Sequence, residues 1–280
     1  MTRSAAARSL VLAAACVVAA LCAQRPFREY PPLEGWDTAA QLPSDFRAPA
    51  ELILGRLMFP SSGFRGAGRF GRGGNWLEGG TAWTVDYPKG DRTFAAILRR
   101  LTRIDVRSVE QPVNPDDDDD IYYYPYLHVA LPGAWSLNEA QAAKLRDYLL
   151  RGGFLFCDSF FGTDEWDGFL QGMQMILPGR EIEELRDDDP IFHTLYSLTE
   201  RYQIGNARTM AYRGVPYRAD GVEPHWRAIR DDKGRVIVAI AFNNDLGDSW
   251  HMADDPTYPE RYSSLGMRVG INNVIYAMSH

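Results

Sequence analysis

Between Leu149 and Gly162 the chain reads Leu-Leu-Arg-Gly-Gly-Phe-Leu-Phe-Cys-Asp-Ser-Phe-Phe-Gly. This run restricts the fold more than any other. Residues 138–151 carry Ala142, Leu145, Leu149 and Leu150 at helical spacing, and the glycine pair Gly152-Gly153 is a helix stop. Phe154 to Cys157 is then a short apolar strand, too brief for a helix. Asp158 and Ser159 fall where that strand ends, and in an open α/β sheet ligands bind outside the carboxyl ends of strands.

The same alternation recurs along the chain. Strands are expected at 51–59, 104–109, 126–131 and 235–242, and helices at 92–101, 165–176 and 268–278. Asp91 stands where it would cap the first of these helices, since a carboxylate there meets free backbone N–H groups. Strands alternating with helices at these lengths predict right-handed βαβ units. The expected class is α/β, a flavodoxin-like, mostly parallel sheet with helices on both faces. Between Pro178 and Arg235 the pattern is loose.

The N-terminus reads differently. Arg3 and Arg8 precede fourteen apolar residues, Leu10 to Ala23, the pattern of a secretory signal peptide over residues 1–23. A bilayer-spanning helix needs about 20 apolar residues, so export to the periplasm is the first expectation and an uncleaved membrane anchor the alternative. Residues 24–49 hold five prolines and form a Pro-rich arm; 50–280 form one α/β domain. Within it, 63–80 contains eight glycines with Arg65, Arg69 and Arg72 between them, a low-complexity loop. A formal charge of −7 excludes a general nucleic-acid binder, which needs a basic face. The expected partner is an envelope protein or a small ligand, with membrane proximity if the leader is retained.

Five ordered motifs carry a resemblance. They are Arg56-Leu57; Trp83 with Asp86-Tyr87-Pro88 and Asp91; Gly152-Gly153-Phe154-Leu155 with Asp158; Asn244-Asp245-Leu246-Gly247-Asp248-Ser249-Trp250; and Gly270-Ile271-Asn272. Together they resemble the bacterial domain of unknown function 4159 family over roughly residues 51–280. The resemblance implies a class I glutamine amidotransferase-like fold and frequent membrane attachment, and it implies no established activity.

An amidotransferase places a cysteine nucleophile at the strand-to-helix turn, activated by a histidine. Alignment on residues 154–157 puts Asp158 at that position and turns Cys157 into the packing layer. Ser159 lacks the flanking glycines of a Gly-x-Ser-x-Gly elbow. The amidotransferase elbow is therefore absent. Asp86, Asp158, Asp245 and Asp248 follow predicted strands and can converge on one sheet edge, where they would raise one another's pKa or hold Mg²⁺ or Ca²⁺. No other cofactor is expected. Arg56 and Arg235 are the cations that would neutralise them. Asp91, Ser159, Asn244 and Trp250 complete the candidate ligand-binding set, Trp250 as a pocket cap or ordinary packing.

None of the five histidines has zinc-motif spacing; His128 reads as a strand residue and His251 lacks an obvious partner. The Gly66–Gly71 glycine spacing opens no helix, so it is not a dinucleotide site. Asp116 to Asp120 reads as a solvated loop. Two functions remain: a non-catalytic ligand- or partner-binding domain, and a metal- or carboxylate-dependent hydrolase of a glycan or amide. Convergence of Asp86, Asp158 and Asp245 around a cleft is what the second requires.

Overall fold

The computed structural model describes residues 26–34, 42–61 and 74–280. The expected leader, and the part of the glycine-arginine loop before residue 74, lie outside the described residues. The strands are β1 (Gly55–Leu57), β2 (Gln111–Val113), β3 (Tyr126–Ala130), β4 (Phe154–Asp158), β5 (Glu183–Glu184), β6 (His225–Arg230) and β7 (Val236–Phe242). The helices are α1 (Lys89–Leu101), α2 (Glu139–Leu150), α3 (Gly162–Ile176), α4 (Ala207–Arg213), α5 (Leu246–His251) and α6 (Glu260–Ser279). The strands form one sheet in the order β2-β1-β3-β4-β7-β6-β5. The first five pair in parallel, and β6 and β5 add antiparallel at one edge. The chain is thus α/β with a mostly parallel sheet.

Alternation along each strand sends side chains into two apolar layers. Leu127, Val129, Leu155, Cys157, Val238 and Ile240 face a layer completed by Ala142 and Leu145 of α2 and Phe169 and Met173 of α3. Tyr126, Phe154, Phe156, Ala239 and Ala241 face the other, completed by Phe94 and Leu98 of α1, Trp250 of α5 and Leu265 and Val269 of α6. Helices therefore cover both faces.

The opening motif has a steric cause. Asn138 and Gln141 form a reciprocal capping box at the start of α2. At its end the Tyr148 ring folds back beneath Gly153, where any Cβ would lie 2.3 Å from the ring. The Tyr148 hydroxyl donates to Tyr124 O at 2.8 Å and accepts from Phe154 N at 3.2 Å. Helix, turn and strand are pinned by one side chain.

Two expectations need correction. The strand expected at 104–109 forms only an isolated bridge, Val106 with Leu52, and the second strand is Gln111–Val113. The Arg107 guanidinium binds the carbonyls of Val109 and Glu110, which holds a turn where the pleat would run. Asp91 does not cap α1; it lies inside the first turn, behind Pro88, and points its carboxylate at Arg56. After β7, Asn243 and Asn244 make the turn and Asp245 caps α5 by accepting from Asp248 N. Among the described residues no helix is long and apolar enough to cross a membrane.

Candidate functional site

Arg56, His128 and Asp158 occupy the same face of three adjacent parallel strands. Arg56 is level with His128 in register, and Asp158 is level with Ala130. All three are buried under α1 and Trp250. An unpaired guanidinium in such a place would be strongly destabilising, and here its donors are used. Arg56 Nε donates to Trp83 O at 2.9 Å, one terminal nitrogen donates to Asp91 at 3.2 Å, and the other donates to Val85 O. The nitrogen that holds Asp91 also lies 3.0 Å from His128 Nδ1. Arginine has no acceptor, so Nδ1 accepts and the imidazole carries its proton on Nε2. That proton is donated to Asp158 Oδ1 at 2.6 Å. Burial pushes the Asp91 carboxyl up, but the charge of Arg56 outweighs it and holds the pKa below the usual carboxylate range.

The chain of contacts continues past the sheet edge. Asp158 Oδ2 accepts from Gly247 N at 2.8 Å and lies 3.1 Å from Ser159 Oγ. Ser159 Oγ is also 2.9 Å from Asp245 Oδ1. A hydroxyl has one proton, so both contacts are hydrogen bonds only when a carboxyl supplies a second. Asp245 suits that role, since burial and the charge of Asp158 push its pKa up.

Beyond Asp245 lies an acidic cluster. One oxygen each from Asp86, Asp245 and Asp248 lies within 4.8 Å of the other two. Asn206 Nδ2 donates to Asp245 at 2.8 Å and to Asp248 at 3.0 Å, and Ala207 N donates to Asp248 at 2.7 Å. Asp86 Oδ2 is buried with no hydrogen-bond donor among the described residues. Glu34, on the N-terminal arm, accepts from Asp86 N at 3.3 Å. Burial pushes the Asp86 carboxyl far up, helped by the charges of Asp248, Asp245 and Glu34. Asp248 is raised by burial and by Asp245, and burial pushes Glu34 up to about 7. Glycine at 247 lets these side chains pack directly on its backbone: a Cβ there would lie 2.3 Å from Asp86 Oδ2 and 3.0 Å from Ser159 Oγ. Asp86, Ser159 and Asn243, one in each surrounding turn, have φ of 59°, 62° and 59°. Such left-handed backbone costs on the order of 1–2 kcal/mol per non-glycine residue, so the surrounding contacts must hold these turns.

The site thus draws on four of the five motifs noted in the sequence. The Trp83–Asp91 segment wraps Arg56 with two carbonyls and one carboxylate, and Asn272 of α6 accepts from Leu195 N and Tyr196 N to fix the loop beyond it. A model of the family described as "Domain of unknown function (DUF4159)" matches residues 75–278. The chain belongs to that family. No curated protein matches it.

The remaining candidates fall outside the cluster. Arg235 lies at the opposite end of the sheet, at the start of β7, and donates to Leu149 O, Gly152 O and Gly153 O and to Asp231. It caps α2 and neutralises nothing at the site; the position near Asp245 belongs to Arg218, which donates to Ser159 O and Glu165. Asn244 spends its amide on Ile204 N and Phe242 O. Trp250 is 1% exposed and stacks on Phe94 at 4.2 Å, so it packs the core. Cys157 is fully buried on the other face, where burial pushes its thiol far up.

Sequence reading passed over Glu34, His128 and Gly247. Only His128 left a signal: a polar residue at the buried phase of an apolar strand. His251, without an evident partner in the sequence, lies 4.0 Å from Asp86 Oδ1.

Proposed function

We propose that this chain is an exported cell-envelope protein whose class I glutamine amidotransferase-like domain binds a small ligand or partner and performs no amidotransferase chemistry. The order of the five parallel strands, 2-1-3-4-5 when numbered among themselves, is the flavodoxin order, in which ligands bind outside the strand carboxyl ends at the switch point. One observation carries the reading. The turn after β4 presents Asp158 where the nucleophile would stand, and that carboxylate is bound by His128, Gly247 N and Ser159. The histidine beside it faces Asp158 and not a thiol or free hydroxyl, so no nucleophile–base pair is assembled. The charged-then-apolar pattern of residues 1–23 supports export, with retention as an anchor the alternative.

The test is a thermal-shift screen of the full chain against sugars, amino acids and short peptides. A ligand that binds only the native state raises the unfolding midpoint. The expected result is a hit that disappears in Asp245→Asn and survives in Cys157→Ala. A hit lost only in Cys157→Ala would overturn the reading. The convergence of raised carboxyls around Ser159 favours a second reading, a carboxylate- or metal-assisted hydrolase. Turnover of a glycan or amide substrate that Asp245→Asn abolishes would select it.

A further inference from the structure

The carboxylate cluster has a feature that a salt-bridge network does not explain. Arg56 is committed to Asp91, and Arg218 to Glu165, yet Asp86, Asp245 and Asp248 converge with one oxygen, Asp86 Oδ2, buried and without a donor among the described residues. Buried like charges repel by several kcal/mol unless a proton or cation lies between them. Gly247 lets Asp86 and Ser159 close on its backbone, since a Cβ there would lie 2.3 Å from Asp86 Oδ2. Asp248 and Glu34, at the outer side of the cluster, are only partly buried.

We infer that Asp86, Asp245 and Asp248, beside Glu34 of the N-terminal arm, bind one hard divalent cation, Ca²⁺ or Mg²⁺. This names the ligand class of the carboxylate cluster and rests on that cluster being the binding site. All donors are carboxylate oxygens, the set such ions prefer. Oxygens about 2.4 Å from a Ca²⁺ lie at most about 4.8 Å apart, and those about 2.1 Å from a Mg²⁺ at most about 4.2 Å. The observed spacing, within 4.8 Å, is of the size one Ca²⁺ bridges, and the smaller Mg²⁺ asks for a tighter set. Asp86 comes from the segment before α1, Asp245 caps α5 and Asp248 lies in its first turn, while Glu34 of the arm meets Asp86 N. Ser159 orients Asp245 through its hydroxyl.

The experiment is isothermal titration of the chelator-treated full chain with CaCl₂ and, separately, MgCl₂, with thermal midpoints alongside. The inference expects one site and a midpoint that rises with the ion. Asp86→Asn should weaken binding at least tenfold while leaving the ion-free midpoint equal or higher, because the amide brings a donor to the neighbouring carboxyls. Should that variant fail to fold, Glu34→Gln, on the arm outside the sheet, carries the test with a weakening of severalfold. Asp117→Asn with Asp118→Asn, in the surface acidic loop, should change nothing. No heat and no midpoint shift with either ion overturns the inference. So does binding that survives Asp86→Asn and Glu34→Gln but is lost in the surface-loop variant. An organic ligand that binds in excess chelator and is lost in Asp245→Asn overturns the cation and leaves the binding-site reading standing.

Discussion

Single side chains in this protein are governed by what burial does to their charge. Glu110 is fully buried and paired with Arg92 at 3.3 Å, yet one of its oxygens has no donor among the described residues. Burial wins over Arg92, with Asp91 adding to it, and pushes its pKa up from 4.5 to about 7. A carboxyl raised on folding binds more protons native than unfolded between those two values. Its stabilisation is full below about 4.5 and is lost as pH rises through about 7. Glu110→Gln should therefore match the parent at pH 4.5–5 and exceed it at pH 8, by on the order of 3 kcal/mol at most. Denaturant midpoints at both pH values test this, and a variant weaker at pH 8 would show that the ion pair dominates. Cys157 makes the converse case for a thiol. At pH 8 in native buffer it should resist alkylation, located by mass spectrometry, and react only as denaturant unfolds the chain.

At the scale of elements, the joint between α2 and β4 concentrates stability far from the carboxylate cluster. Arg235 closes the carbonyl end of α2 while Tyr148 ties that helix to β4. Arg235→Ala should lower stability by about 1–2 kcal/mol, from lost charge-assisted hydrogen bonds at a helix C-terminus. It should leave every binding property of the carboxylate cluster intact. A change in cation or ligand affinity in this variant would mean that the two ends of the sheet are coupled. The same element shows why sequence reading misassigned the residue. Arg235 begins a strand whose other end reaches the site, and position along a strand cannot be read without its neighbours' register.

For the molecule as a whole, the two-layer core sits on β3, β4 and β7, which are flanked on both sides. β2 and β5 form the edges, three and two residues long. Native-state hydrogen exchange should follow that geometry. Amides of Leu127, Leu155 and Val238 should exchange only through global unfolding, whereas those of Gln111 and Glu184 should exchange through local opening at lower free energy. Equal protection at centre and edge would show that the sheet opens as one unit.

What the sequence determined by itself was the class of structure and the strand-to-helix turn after β4. Apolar periodicity, a capping box and a glycine pair are local signals, so the αβ alternation and the place of Asp158 at the end of β4 could be counted along the chain. Local signals stop at the sheet edge. The strand at Gln111–Val113 replaced the one expected at 104–109 because Arg107 binds backbone carbonyls around a turn, an event that leaves no periodicity. Only the tertiary structure decided that Arg56 and His128 lie level on neighbouring strands, and that Glu34 meets Asp86 across 52 residues. The same holds for the partition of the candidate aspartates: Asp91 to Arg56, Asp158 to His128, and Asp86, Asp245 and Asp248 to one cluster. The reason is physical. Charge repulsion, desolvation and a shared proton act over a few ångströms, and those distances are set by sheet register and loop closure, not by spacing along the chain.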